Sequence, residues 1–204
     1  MELHVSAVEW GAASRPLVPD APLGDGWLAA WSGESVLLAV FDALGHGAEA
    51  AAAAATAHRT LCEEPHRSLD QLITRCDRAL GPTRGITLGL ARIDVPAAEM
   101  TWVGIGNVHG VVLRRQSGTR PRRITMVQRA GVVGRRVPPL VLERVALSPG
   151  DLLLLATDGI APQFAEHAAT AGPPRRIAER LLESYFLGSD DGLVLAAGFR
   201  GGTP

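Results

Sequence analysis

Two cysteines, one tyrosine and an aromatic share of 4% in 204 residues leave several kinds of protein without their raw material. Cys62 and Cys76 lie far apart and near no histidine-rich spacing, which excludes a disulfide framework or a zinc site. They read as reduced core thiols of a cytosolic chain. Neither has the phosphate-cradling loop and neighbouring arginine that a cysteine-dependent phosphatase needs. No glycine-rich Lys-Ser/Thr loop for nucleotide phosphates is present. The longest apolar runs, 36–41 and 152–156, fall far short of the ~20 residues that cross a bilayer. The start, Met1-Glu2-Leu3-His4-Val5, has no basic stretch followed by a long apolar one, so the expectation is a cytoplasmic protein with no membrane contact. A net charge of -1 gives no general pull towards nucleic acid. The few aromatics offer little for bases to stack on.

What is present suits one ordinary globular domain, with 47% apolar and 20% charged residues. No repeat or linker divides it. The reading is a single domain over residues 1–200 with a short tail at 201–204. Strands are expected at 27–31 and 35–41, joined through Ser32-Gly33-Glu34. The second of these is almost continuously apolar, as a strand covered on both faces should be. An alanine-rich helix follows over 48–61, with Glu49, His58 and Arg59 on its polar face. A second helix is expected over 68–80, where Leu69, Leu72, Ile73, Cys76 and Leu80 recur at helical spacing, until Gly81-Pro82 stops it. Strands are then expected at 85–94, 100–104, 108–114, 123–128, 140–147 and 151–156. Residues 116–123 read as an exposed hairpin tip. A helix over 175–186 and a strand over 192–199 close the chain. Segregated helices and hairpins predict an α+β architecture rather than alternating βαβ units.

Four acidic stretches stand beside glycine at the ends of apolar runs: Gly24-Asp25-Gly26, Asp42-Ala43-Leu44-Gly45-His46-Gly47, Thr157-Asp158-Gly159 and Asp190-Asp191-Gly192. Any one of them is explained by turn chemistry, because Asp and Gly both tolerate unusual backbone angles. Together they ask for more. Asp42 and Asp158 end buried strands, where a carboxylate is costly unless paired or bound to a cation. Adjacent Asp190 and Asp191 repel one another and call for a neutralising partner. Hard divalent cations prefer such oxygen ligands.

The Asp42-x-x-Gly45-His46-Gly47 pattern, followed at once by an alanine-rich helix, resembles the Asp-x-x-Gly-His-Gly motif of bacterial metal-dependent serine/threonine phosphatases. These are the protein phosphatase 2C class in its SpoIIE branch. Gly24-Asp25, Gly104-Ile105-Gly106-Asn107, Thr157-Asp158-Gly159 and Asp190-Asp191 match further family motifs in order. The short length most resembles the stand-alone stressosome phosphatases of RsbX type. The resemblance implies an αββα sandwich of two mostly antiparallel sheets flanked by helices, with a two-metal centre at one end. It implies that Asp42 bridges both ions, that the Ala43 carbonyl ligates one, and that Asp25 lies on one ion's side. Asp158 and Asp190 would complete the other, with Asp191 a weaker or supporting ligand. Asp42 and Asp158 would be the residues essential to catalysis. The ions would be Mn²⁺ or Mg²⁺, about 3.5–4 Å apart with an activated water between them. The implied substrate is a phosphorylated STAS-domain stressosome or anti-anti-sigma protein, and the enzyme a monomer or weak dimer. A non-catalytic phosphatase fold that sequesters a signalling partner is the alternative.

Gly45 and Gly47 would let the backbone approach the metal waters, while His46 reads either as a general acid or phosphate contact or as a residue fixing the loop. His109 reads as an ordinary strand residue, and His4, His58, His66 and His167 form no ligand spacing. Arg114, Arg115, Arg120, Arg122 and Arg123 fall on one predicted hairpin, and Arg135-Arg136 follow. A solvated hairpin, a docking surface for an acidic partner and a nucleic-acid patch are the readings these allow, the last unsupported by any recognised module.

Overall fold

The computed structural model describes residues 7–114, 122–166 and 171–202. Two antiparallel layers form the centre. The first sheet joins, in spatial order, β1 (Val8–Arg15), β11 (Gly192–Phe199), β10 (Leu152–Ala156), β6 (His109–Arg114) and β7 (Arg122–Thr125). The second joins β2 (Asp25–Ser32), β3 (Ser35–Ala43), β4 (Ile86–Asp94), β5 (Glu99–Ile105) and the two-residue β8 (Gln128–Arg129), with β9 (Glu143–Ala146) also pairing β5. Among the described residues only the β5–β8 pairing is parallel.

The alternation of side chains along each strand makes the layers. On β3, Val36, Leu38 and Val40 face the other sheet and meet Val112, Leu153, Leu155, Leu193 and Leu195. Leu37, Ala39, Phe41 and Ala43 face outwards onto α1 (Ala48–Glu63) and α2 (Leu69–Leu80). Both faces are therefore dry, which is why the strand reads as one apolar run. α3 (Pro174–Tyr185) covers the outer face of the first sheet with Ile177, Ala178 and Leu181 against Leu154, Val194 and Ala196. Helix, sheet, sheet, helix is the order of layers, and the α+β expectation holds. Among the described residues no helix is long and apolar enough to cross a membrane.

Departures from the sequence reading have physical causes. β1 was not expected, because Gly11, Ala12 and Ala13 have little strand preference. A Cβ on Gly11 would come within 2.5 Å of the Arg175 backbone, so smallness there encodes the close crossing of α3. The single strand expected at 123–128 is two short ones in different sheets: β7 pairs β6, whereas β8 pairs β5. The strand expected at 140–147 shrinks to β9, following the Pro138-Pro139 pair, which supplies no backbone N–H. Cys76 is buried against α1 and the sheet, but Cys62 is exposed, because it falls on the outer face of α1. Arg114 is no part of a solvated cluster, since its guanidinium donates to the Ala146 carbonyl and pairs with buried Asp151 at 3.4 Å. Arg115, Arg120 and most of the expected hairpin tip lie outside the described residues.

Candidate active site

The β2–β3 register sets Asp25 opposite Asp42, and the β3–β4 register sets Asp42 opposite Thr87. Residues opposite one another share a face. Asp25, Asp42 and Thr87 therefore form a row at one end of the second sheet, on the face that meets the first. Gly106 and Asn107, just past β5, continue the row towards the other sheet. The first sheet contributes from its own ends at the same place. Thr157 and Asp158 follow β10, and Asp190 and Asp191 precede β11. Asp42, Ala43, Thr87, Asn107, Asp158 and Asp190 all line one open cleft of about 430 Å³, which Gly45 and Val132 also border.

Hydrogen bonds across the two sheets hold these groups in place. The Thr157 hydroxyl donates to Asp25 Oδ2 at 2.8 Å and accepts from the Leu193 N–H at 2.9 Å. Asn107 Nδ2 donates to Asp158 Oδ2 at 2.5 Å. Asp191 is spoken for: Oδ1 accepts from the Leu17 N–H and Oδ2 from the Gly24 N–H, both at 2.8 Å. It thereby ties the segment before β2 to the start of β11. Gly159 is needed where these loops cross, because a Cβ there would stand 1.8 Å from the Asp191 carbonyl oxygen. His46 is exposed on the loop into α1, and His109 is a half-buried strand residue beside Gln128, as expected.

Among the described residues no basic side chain lines this cleft. Burial, then the neighbouring Asp42 carboxylate, pushes the Asp25 carboxyl up to about 8, against the opposing Thr157 hydrogen bond. Burial pushes Asp42 up to about 7, with Asp158, Asp190 and Asp191 adding to it. Asp158 is also raised, chiefly by burial and then by Asp190, while the Asn107 hydrogen bond acts the other way. Carboxyls crowded in this way ionise readily only beside a cation. Two polar atoms, Thr87 Oγ1 and Asn107 Oδ1, are buried without a partner in this region. The donor set is all oxygen, which fits Mg²⁺ or Mn²⁺. Among the described residues no three acidic, histidine or cysteine side chains close into a ready-made cage. Mg²⁺ in particular keeps several of its waters and binds through one or two carboxylates, so an open cleft suits it.

Asp42, Ala43, Gly45, Asp158 and Asp190 thus meet in one cleft, with Asp25 and Asp191 beside them. The sequence reading gave no role to Thr87, Thr157 or Asn107. Thr157 and Asn107 sat inside quoted motifs, but only the fold shows which carboxylate each one holds. Replacing Thr157 by Val keeps the shape while stranding the buried Leu193 N–H and releasing Asp25. We expect a loss of about 1–3 kcal/mol in a urea unfolding titration.

Comparison with known proteins identifies this two-sheet sandwich, with carboxylates gathered at one end, as a phosphatase domain of the protein phosphatase 2C class. The profile of the family named stage II sporulation protein E (SpoIIE) matches residues 32–195, and the chain belongs to that family. It is a protein phosphatase, and two of its relatives in structure are solved with magnesium or manganese. Comparison with curated protein sequences gives no match. Among solved structures, a protein described with the bacterial stressosome is 26% identical, with a TM-score of 0.82 over 93% of this chain and 98% of its own. RsbX in complex with magnesium is 17% identical, with a TM-score of 0.83 over 95% and 96%. The catalytic domain of the serine/threonine phosphatase PstP, in complex with two manganese ions, is 17% identical, with a TM-score of 0.68 over 95% and 98%.

Proposed function

We propose that this chain hydrolyses phosphoserine or phosphothreonine in a STAS-domain regulator of a bacterial stressosome or partner-switching pathway, using two divalent ions, Mn²⁺ or Mg²⁺. The observation that carries the metal dependence is the pairing of buried Asp25 with half-buried Asp42, whose ionisation at neutral pH calls for a cation. Asp42 would be shared between the ions, with the Ala43 carbonyl and Asp25 on one side and Asp158 and Asp190 on the other. Bound there, the ions would supply an activated water and neutralise charge on the phosphoryl oxygens. Asp191 serves this site by positioning, since both of its oxygens hold backbone N–H groups. Thr157 and Asn107 orient Asp25 and Asp158 in the same way. The Thr87 hydroxyl, unpartnered in the same row as Asp42, is free to bond a ligand that enters the cleft. The stressosome described with one structural relative supports the STAS-domain substrate.

The test is phosphate release from p-nitrophenyl phosphate, a phosphothreonine peptide and a phosphorylated STAS-domain protein, each with Mn²⁺, Mg²⁺ or EDTA. The expected result is turnover that EDTA abolishes and that is fastest per unit concentration on the STAS protein. Binding of that protein without turnover under either metal would replace the enzyme by a sequestering module.

A further inference from the structure

Beside the catalytic cleft lies a second cavity of about 340 Å³, lined by Leu44, Glu49, Ala52, Pro82, Arg84 and Arg135, among others. Leu44 belongs to both cavities. The separation from the catalytic carboxylates is therefore one side chain thick. Gly45, three residues after Asp42, shows how close the basic groups come. A Cβ at Gly45, whose φ is +102°, would stand 2.8 Å from Arg84 Nη1. The guanidinium occupies the space that any other residue's side chain would fill, at the border of the cleft. Arg135 packs its stem 3.3 Å from where a Cβ of Gly85 would be, at the other side of the same cavity.

The site described above does not use these two arginines. Arg84 has one acidic neighbour, Glu49, at 3.8 Å with both side chains exposed, a weak and easily exchanged pairing. Arg135 forms no ion pair among the described residues, and Arg136 next to it is exposed. All twenty basic residues of the chain are arginine. Its planar fork recognises carboxylates with defined geometry, unlike the point charge of a lysine. A positive rim next to an acidic cleft would also draw in an acidic segment in one orientation.

We propose that Arg84 and Arg135 form a docking subsite for an acidic side chain of the phosphoprotein, a few residues from its phosphorylated Ser or Thr. Glu49 now holds the place of that carboxylate, and a monoanionic acid displaces it with less repulsion than a dianionic phosphate would meet. An extended peptide advances about 3.3–3.6 Å per residue, so two to four residues span the wall that Leu44 makes. This subsite rests on the phosphatase reading and gives it a substrate class: phosphoresidues in acidic surroundings.

The experiment compares phosphothreonine peptides carrying glutamate, glutamine, arginine or a non-hydrolysable phosphonate analogue of phosphoserine at the second to fourth positions on either side. The readout is the ratio of kcat/KM between peptides, with Mn²⁺ present, which cancels any change common to all of them. We expect wild type to favour a glutamate peptide over its glutamine twin by about tenfold. R84A/R135A should bring that ratio near one, and R84E/R135E should invert it in favour of arginine-flanked peptides. A wild-type ratio near one, or a preference that survives R84A/R135A, overturns the subsite while turnover itself upholds the phosphatase. A stronger preference for the phosphonate-flanked peptide, lost in R84A/R135A, reassigns the subsite to phosphate and overturns the acidic side chain. No metal-dependent turnover of any peptide by wild type fails the phosphatase reading and takes the subsite with it.

Discussion

Asp42→Ala should cost at least about 10³-fold in metal-dependent phosphate release and yet leave the metal-free protein as stable as wild type, or more so. The two halves of this result have one cause. Asp42 sits at the centre of the row, opposite Asp25 on one side and Thr87 on the other, with Asp158, Asp190 and Asp191 close enough to raise its proton affinity. Without a cation, however, Asp42 is a half-buried carboxylate among other carboxylates, and its removal relieves both desolvation and repulsion. Steady-state kinetics with Mn²⁺, together with thermal melts in EDTA, read the two halves separately. Full activity in Asp42→Ala would dismiss the metal site. A large fall in metal-free stability would show instead that Asp42 is structural.

The second large effect is on stability. In EDTA the protein should become less stable as pH rises from about 4 to 8, and saturating Mn²⁺ should restore it. Asp25 and Asp42 have their proton affinities raised on folding, to about 8 and about 7, against about 3.9 in the unfolded chain. Below about pH 4 both groups are protonated in the folded and unfolded chains alike, and the contribution is complete. Between the unfolded and folded values the folded chain holds more protons than the unfolded one, so each rise in pH lowers the unfolding free energy. The loss is complete once pH passes the folded values. A divalent ion at about 100 times its dissociation constant adds about 2.7 kcal/mol, or about 5–10 °C for a domain of this size. Melting curves from pH 5 to 8.5, with EDTA and with Mn²⁺, measure it. A metal-free melting temperature that rises over this range would contradict the assigned electrostatics.

Legibility in the sequence followed how local each signal was. The Asp42 loop, its alanine helix and the acidic ends near Asp158 and Asp190 announce themselves within a few residues. So the layers, the helices α1, α2 and α3, and the converging carboxylates were readable. What escaped depends on partners distant in the chain. β1 is written in small residues because α3 presses on it, and nothing nearby says so. The fates of residues 123–128 and 140–147 turn on which sheet each end joins. Thr87 looks like any strand threonine until the register puts it opposite Asp42. Arg84, in the turn between α2 and β4, was hidden for the same reason: its neighbour across space is the Gly45 loop, about forty residues away in sequence.

The bonds from Thr157 to Asp25 and from Asp191 to the Gly24 N–H each run from one sheet to the other. Neither sheet carries a complete set of carboxylates. A chain that has folded one layer, or docked the two in a slipped register, therefore has no working centre. Catalysis is thereby interlocked with correct assembly: a nascent or damaged copy falls silent and does not strip phosphate from proteins indiscriminately. For a signalling hydrolase, whose errors would be read downstream as commands, that makes the sandwich interface a built-in safety catch.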